Sequence, residues 1–267
     1  MSKTVLITGA GSGLGRALAL RYAGLGCRIG VADLDLDRAE GVRAEIEAAG
    51  GRALAFHVDI TQDSAWSLLR EQVNAAWHGI DVLINNAGVA SGGATLEASI
   101  ADWQWMLDVN LLGVVRGCKT FAPDMLQKGG GQIINIASFA GLAGAPGLSS
   151  YGVAKGGVVS LSEGLRGEFE PRGLKVSVVC PAFFQTNLLE NFRGSERMRS
   201  TAAKLMADAR ESADDIARAI VEAAEKGRFL IIPTATERRR WWMKRWFPEY
   251  YYKQVQKMVS RRQGGKA

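Results

Sequence analysis

A short apolar run, a cluster of glycines and then a helical pattern open the chain. That order restricts the fold more than any other feature. Thr4-Val5-Leu6-Ile7-Thr8 is β-branched and aliphatic, which suits a strand. Gly9-Ala10-Gly11-Ser12-Gly13-Leu14-Gly15 follows at once, and Leu18, Ala19, Tyr22 and Leu25 then recur at helical spacing. Glycines let a backbone approach a pyrophosphate, and a helix N-terminus offers free N–H groups with partial positive charge. Strand, glycine turn and helix together predict a dinucleotide site.

The second strand, 27–33, ends on Asp33. An acid near that distance from the glycine turn accepts hydrogen bonds from the adenosine ribose. Its carboxylate would repel a 2′-phosphate, and no basic residue stands at Ser12 or Leu34, so NAD is expected over NADP. Asp33 has a second reading as the cap of the next helix, a role that Asp35 and Asp37 also fit. Helices are expected at 36–49, 62–77, 99–127, 151–170 and 212–227, and strands at 52–58, 81–84, 132–137, 174–180 and 228–232. Seven strands alternating with helices predict an α/β fold of the Rossmann type: a doubly wound parallel seven-stranded sheet with helices on both faces. A length of 267 residues suits one such domain. We place it at 1–236, with residues 187–211 as a substrate lid or short helices and 237–267 as a basic amphipathic C-terminal helical extension.

Candidate chemistry gathers in the middle of the chain. Tyr151 and Lys155 are four apart and so share a helix face. A fixed cation eases loss of a phenol proton, although such a pair also occurs on ordinary wet faces. Ser138 stands at the C-terminal end of a predicted strand, where ligands sit in open parallel sheets. Asn110 lies among apolar residues of a helix, a poor place for asparagine, and signals a kink or a contact. Asn85-Asn86-Ala87-Gly88 ends the fourth strand, where asparagines steady turns. Cys27, Cys118 and Cys180 are scattered and read as buried thiols. With only His57 and His78 as histidines, no metal site is expected.

With these pieces in order, residues 3–232 resemble the short-chain dehydrogenase/reductase family. Thr8-Gly9-x-x-x-Gly13-x-Gly15 is similar to its cofactor fingerprint, and Asn110, Ser138, Tyr151 and Lys155 to its catalytic tetrad. The resemblance implies cofactor contacts at Gly9, Ser12, Gly13, Leu14, Gly15, Asp33, Asp59, Ile60, Asn86, Ala87, Gly88, Tyr151, Lys155, Pro181 and Thr186. Asp59 would bond the adenine amino group, and Thr186 the nicotinamide carboxamide. Pro181-Ala182 departs from the family's usual Pro-Gly, which loosens the Thr186 assignment. The implied mechanism has Tyr151 exchange a proton with the substrate oxygen. Ser138 hydrogen-bonds that oxygen, Lys155 together with the positive nicotinamide lowers the Tyr151 pKa, Lys155 also grips the ribose, and Asn110 anchors a proton-relaying water. The implied enzyme is an NAD-dependent oxidoreductase of secondary alcohols or ketones, paired as a homodimer or homotetramer through the helices holding Asn110 and Tyr151.

The tail adds a separate clue. Residues 237–267 hold ten Lys/Arg and two acids, a charge of +8, against −2 for the remainder. Three of seven tryptophans and three of five tyrosines lie there too. Pro248 divides it into two expected short helices. Trp242 with Trp246, and Met243 with Phe247, would share faces of the first; Tyr251, Val255 and Met258 would share one of the second. Cations beside aromatics suit contact with a membrane surface through 238–262, and also suit packing on the fold or across an oligomer interface. Nucleic-acid binding is not expected, because the folded part is slightly acidic. The first strand starts at Lys3 without a leader, so a cytoplasmic protein is expected, peripheral on a membrane if the tail binds one. The apolar stretch 139–148 with Phe183 and Phe184 points to a lipophilic substrate of sterol, retinoid or long-chain type. A 3-oxoacyl thioester reductase, a dehydrogenase of small polar alcohols and a non-catalytic cofactor-sensing protein are the alternatives.

Overall fold

The computed structural model describes residues 2–264. It begins β1 (Thr4–Thr8), α1 (Gly13–Gly24), β2 (Arg28–Asp33), α2 (Leu36–Ala48), β3 (Arg52–His57), α3 (Asp63–Trp77) and β4 (Val82–Asn85). The short β5 (Ser91–Gly92) and α4 (Ile100–Leu107) lead through a π-helical turn (Asp108–Leu112) into α5 (Gly113–Gln127). Next are β6 (Gly131–Ile136), α6 (Ala140–Ala143), α7 (Ser149–Phe169) and β7 (Leu174–Val179). The last part holds β8 (Arg193–Gly194), α8 (Glu196–Ala207), α9 (Ala213–Glu225), β9 (Leu230–Ile231), α10 (Ala235–Trp246) and α11 (Pro248–Gly264).

Seven strands form one parallel sheet in the order β3-β2-β1-β4-β6-β7-β9, as the alternation predicted. Successive side chains point to opposite faces, and the core divides accordingly. Val5 and Ile7 face Leu18 and Tyr22 of α1, Ile46 of α2 and Ile220 of α9. Leu6 faces the other way, toward Trp66 and Leu69 of α3, Phe121 of α5 and Val158 of α7. The strand order reverses between β1 and β4, which are direct neighbours with Val5 opposite Val82. A crevice opens beyond the carboxyl ends of the strands at such a switch point.

Two devices set what surrounds that crevice. The expected long helix is interrupted where Asn110 was singled out, and the interruption is the π-helical turn. Such turns commonly mark functional positions. Residues 187–211 form a 3-10 turn at Asn187–Leu189, then β8 and α8. β8 pairs with β5, Ser91 opposite Arg193, so this segment is clamped to the loop after β4.

Pro248 starts α11, as expected, but α11 is long rather than short. The extension lies on the fold. Arg238 donates to the carbonyls of Ile232 and Pro233 at 2.8 and 2.9 Å. Lys244 Nζ donates to Leu142 O at 2.5 Å, and Tyr251 OH to Ala143 O at 3.1 Å. Tyr251, Val255 and Met258 share one face of α11, as expected from their spacing, and burial falls along it: Tyr251 is buried, Val255 half-buried and Met258 exposed. Residues 265–267 and the side chains of 261–264 lie outside the described residues, so the tail cations Arg261, Arg262 and Lys266 have no structural account.

Candidate active site

A cavity of about 940 Å³ occupies the crevice. Its floor is the glycine turn. Gly9 has a φ of +63°, and a Cβ there would lie 2.8 Å from Ala87 Cα. A Cβ at Gly15 would lie 2.0 Å from the Gly9 carbonyl oxygen. Only glycine allows these approaches, and they bring the N-terminus of α1 under the cavity. Thr8 Oγ1 accepts from the backbone N–H groups of Asn86 and Ala87, both at 3.1 Å. Asn86 Nδ2 donates in return to Thr8 O and Gly9 O, at 2.9 and 3.1 Å. The ends of β1 and β4 are thereby locked together.

Asp33 also braces this turn. Its Oδ2 accepts from Gly11 N at 2.8 Å and its Oδ1 from Asp35 N at 3.0 Å, while the carboxylate still lines the cavity. The helix-capping role falls to Asp35, which accepts from Arg38 N. Asp59 accepts from Thr61 N and Thr61 Oγ1 at 2.9 and 2.7 Å. Thr186 approaches the turn from above: a Cβ at Gly13 would sit 2.7 Å from its Oγ1. Ser12, Leu14, Ile60, Gly88 and Pro181 line the same space. The glycine floor, the helix N-terminus and the acid at the end of β2 fit a nicotinamide dinucleotide.

Ser138, Tyr151 and Lys155 line the cavity together. Lys155 is 4% exposed, and its Nζ donates to Ile136 O at 2.9 Å. Asn110 stands behind the cavity wall, fully buried. Its Oδ1 accepts from Val89 N at 3.1 Å and its Nδ2 donates to Val89 O at 3.0 Å. Gly88 lets it come close, since a Cβ there would lie 2.5 Å from Asn110 Oδ1 and 3.3 Å from Lys155 Nζ. Below them runs a buried chain that holds α7 to the sheet. Asn85 Nδ2 donates to Asn135 Oδ1 at 2.9 Å, and Asn135 Nδ2 to Ser162 Oγ at 3.0 Å.

Burial raises the Tyr151 pKa above its ordinary value, and only the hydrogen-bonding contact with Ser138 opposes the rise. Burial also lowers Lys155 to about 8, because a desolvated ammonium is disfavoured. The protein's own groups therefore leave Tyr151 protonated at neutral pH. Cys180, beside Lys155, is pushed up to about 12 by burial and stays a thiol. Among the described residues no group of three or more His, Cys, Asp or Glu is placed to hold a metal ion.

Several cavity residues carried no sequence signal. Arg38 of α2 reaches Glu190 at 2.7 Å, bridging the cofactor half to the clamped segment. Glu237 and Arg240 reach the cavity from α10. Glu237 is 8% exposed, with Thr234 Oγ1 bonded to one oxygen and Arg240 Nη1 at 3.3 Å from the other. A T-x-x-E spacing at a helix start was the available sign, but nothing in it showed that this helix start faces the cavity.

The fold and this constellation are those of a Rossmann-type protein with a dinucleotide-sized crevice at its switch point. The family described as short chain dehydrogenase matches residues 3–197, and the chain belongs to it. It is 34% identical over 233 residues to the probable oxidoreductase EphD of Mycobacterium tuberculosis, covering 83% of this chain but only 39% of that protein. It is 37% identical over 189 residues to the 2,5-dichloro-2,5-cyclohexadiene-1,4-diol dehydrogenase LinX of Sphingobium indicum, covering 71% of this chain and 76% of the relative. A short-chain dehydrogenase/reductase from Burkholderia phymatum, solved in complex with NAD, superposes with a TM-score of 0.84 at 32% identity, over 90% of this chain and 92% of that one.

Proposed function

We propose that the protein is an NAD-dependent dehydrogenase or reductase of secondary alcohols or ketones with a largely apolar body. The observation that carries this reading is the shared cavity of Ser138, Tyr151 and Lys155, walled by Phe139, Ala143, Leu148 and Phe183. The cofactor, when bound, supplies or accepts the hydride. Tyr151 exchanges the proton with the substrate oxygen, and its protonated state at neutral pH readies it to donate to a carbonyl. Ser138 hydrogen-bonds the same oxygen as charge develops. Lys155 holds the nicotinamide ribose, and Asn110 fixes the loop at Val89 and orders a proton-relaying water.

NAD is favoured because the Asp33 carboxylate faces the cavity and the nearest cation, Arg38, is engaged by Glu190 and by Asp35 at 3.2 Å. The test is a panel of aliphatic and alicyclic secondary alcohols, read as NADH formation with NAD and NADPH formation with NADP in parallel. Turnover confined to small polar diols, or confined to NADP, would contradict the reading. Binding of NADH with no turnover across alcohols and ketones would favour a cofactor-sensing protein instead.

A second observation concerns the outer face of the extension. Trp242, Trp246, Phe247 and Tyr250 are each more than half exposed, and the rings of Trp242 and Trp246 stack at 6.1 Å. Arg239 and Arg245 flank them. No helix among the described residues is long and apolar enough to cross a membrane. The patch suits in-plane contact with an anionic lipid surface. Flotation with anionic vesicles tests this: Trp242→Ser with Trp246→Ser should lose vesicle binding, and equal flotation of variant and wild type would end the idea. Exposed Leu112, in the π-helical turn, and Val153 of α7 suit self-association through the helices that hold Asn110 and Tyr151, which light scattering on the full chain would detect.

A further inference from the structure

Four cations line the cavity: Arg38, Lys155, Arg193 and Arg240. Three are engaged by the fold. Arg38 is held by Glu190 and Asp35. Lys155 donates to Ile136 O. Arg193 makes no side-chain hydrogen bond among the described residues, but its guanidinium is taken up by the Trp105 ring, 3.9 Å from the ring centre, with Asp102 at 3.6 Å. Arg240 differs. Its one hydrogen bond among the described residues is the 3.3 Å contact from Nη1 to Glu237, and 57% of its side chain is exposed. Its Nε and Nη2 groups have donors to offer, and a guanidinium presents them in a planar fork that matches a carboxylate.

Glu237 sets where that fork stands. It is buried, and Thr234 fixes its second oxygen. α10 in turn is tied down at both ends, through Arg238 to Ile232 O and through Lys244 to Leu142 O. Arg240 thus lines the cavity with its Nη1 held by a buried, fixed counter-charge. Ala202 and Met206, which α8 contributes to the lining, carry no charge to compete with it.

We propose that Arg240 binds a carboxylate carried by the substrate. Given the reading of this cavity as the site of an alcohol oxidoreductase, the substrate class is then an apolar hydroxy or oxo acid, not a neutral sterol or retinoid. The apolar body lies against the walls at Phe139, Ala143 and Phe183, and the reacting carbon meets Tyr151. The acid group stops at Arg240. Arg240 is a specificity residue and takes no part in hydride or proton transfer.

The test uses the full chain and two probes, 12-hydroxyoctadecanoic acid below its micellar range and its methyl ester. Their affinities are compared by titration calorimetry for wild type, Arg240→Ala and Arg240→Lys. Wild type should prefer the acid about tenfold or more, the range of a hydrogen bond to a charged group. Arg240→Ala should bring the acid-to-ester preference close to one, and Arg240→Lys should keep part of it. Equal binding of acid and ester by wild type, no binding of the acid, or an unchanged preference in Arg240→Ala overturns the assignment. These readouts need no turnover, so the two readings fail separately. Absence of NADH formation across all alcohols counts against the enzyme's proposed substrates, and equal binding counts against Arg240.

Discussion

Around the glycine turn the cavity wall is main chain fitted against main chain; near α10 it is main chain held by side chains. In the first region Gly9, Gly15 and Ala87 touch backbone to backbone, and Thr8 and Asn86 bond to N–H and C=O groups across β1 and β4. In the second, Lys244 and Tyr251 reach from the extension to the carbonyls of Leu142 and Ala143, on the wall formed by α6. Backbone fitted to backbone leaves no room for a side chain, so the first region tolerates little change. A wall held by a few side chains can be moved by replacing them. The contrast predicts a cofactor site that is rigid in sequence terms beside a substrate site that is tunable.

The severest test falls where the two regions meet. Tyr151→Phe should reduce kcat by about a thousandfold, the scale of a lost general acid–base group, while NADH affinity by fluorescence titration stays within threefold. Activity within tenfold of wild type would sink the role given to Tyr151. Next in size, Gly15→Ala should weaken NADH binding by about a hundredfold and lower Tm, because the new Cβ cannot avoid the Gly9 carbonyl. Unaltered cofactor affinity there would break the claim that this floor is fixed.

Lys155→Met sharpens the comparison through pH. Native Lys155 titrates at about 8, below its ordinary 10.5. Between those values the unfolded chain holds a proton that the native chain lacks, so stability rises with pH across that window. The penalty of burying the charge is fully present below 8. The variant should therefore gain Tm over wild type at pH 7 and lose most of that gain by about pH 10.5. A Tm difference that does not vary with pH would show that burial of this ammonium costs nothing. The smallest effect is expected in the tunable region. Lys244→Ala and Tyr251→Phe each remove one hydrogen bond, worth about 1 kcal/mol. KM for an apolar alcohol should change severalfold, and NADH affinity should not.

The sequence showed the fixed region more clearly than the tunable one, and for a physical reason. The seven parallel strands were legible because strands covered on both faces read as short continuous apolar runs, and the helices between them carry a period of 3.6. The turn at Gly9–Gly15 was legible because close backbone approach leaves glycine as its mark. Asn110 stood out because asparagine is costly inside a helix, and there the helix passes into a π turn. Glu237 and Arg240 were illegible. Their place in the cavity depends on how α10 docks against α6, a long-range packing choice that leaves no periodic trace. The Arg38–Glu190 bridge was hidden for the same reason, since its partners are 152 residues apart. The buried polar chain from Asn85 through Asn135 to Ser162 had only isolated polar residues in apolar runs to announce it.

The docking of α10 also has a consequence in the order of synthesis. All seven strands precede α10 in the chain, and chains fold progressively from the N-terminus as they are made. The glycine floor, the reversal between β1 and β4, and Tyr151 with Lys155 are therefore all translated before Glu237 and Arg240 exist. A nascent chain can complete a dinucleotide crevice while one wall of the substrate space is still missing. The wall that carries Arg240 is the last part of the cavity lining to be made.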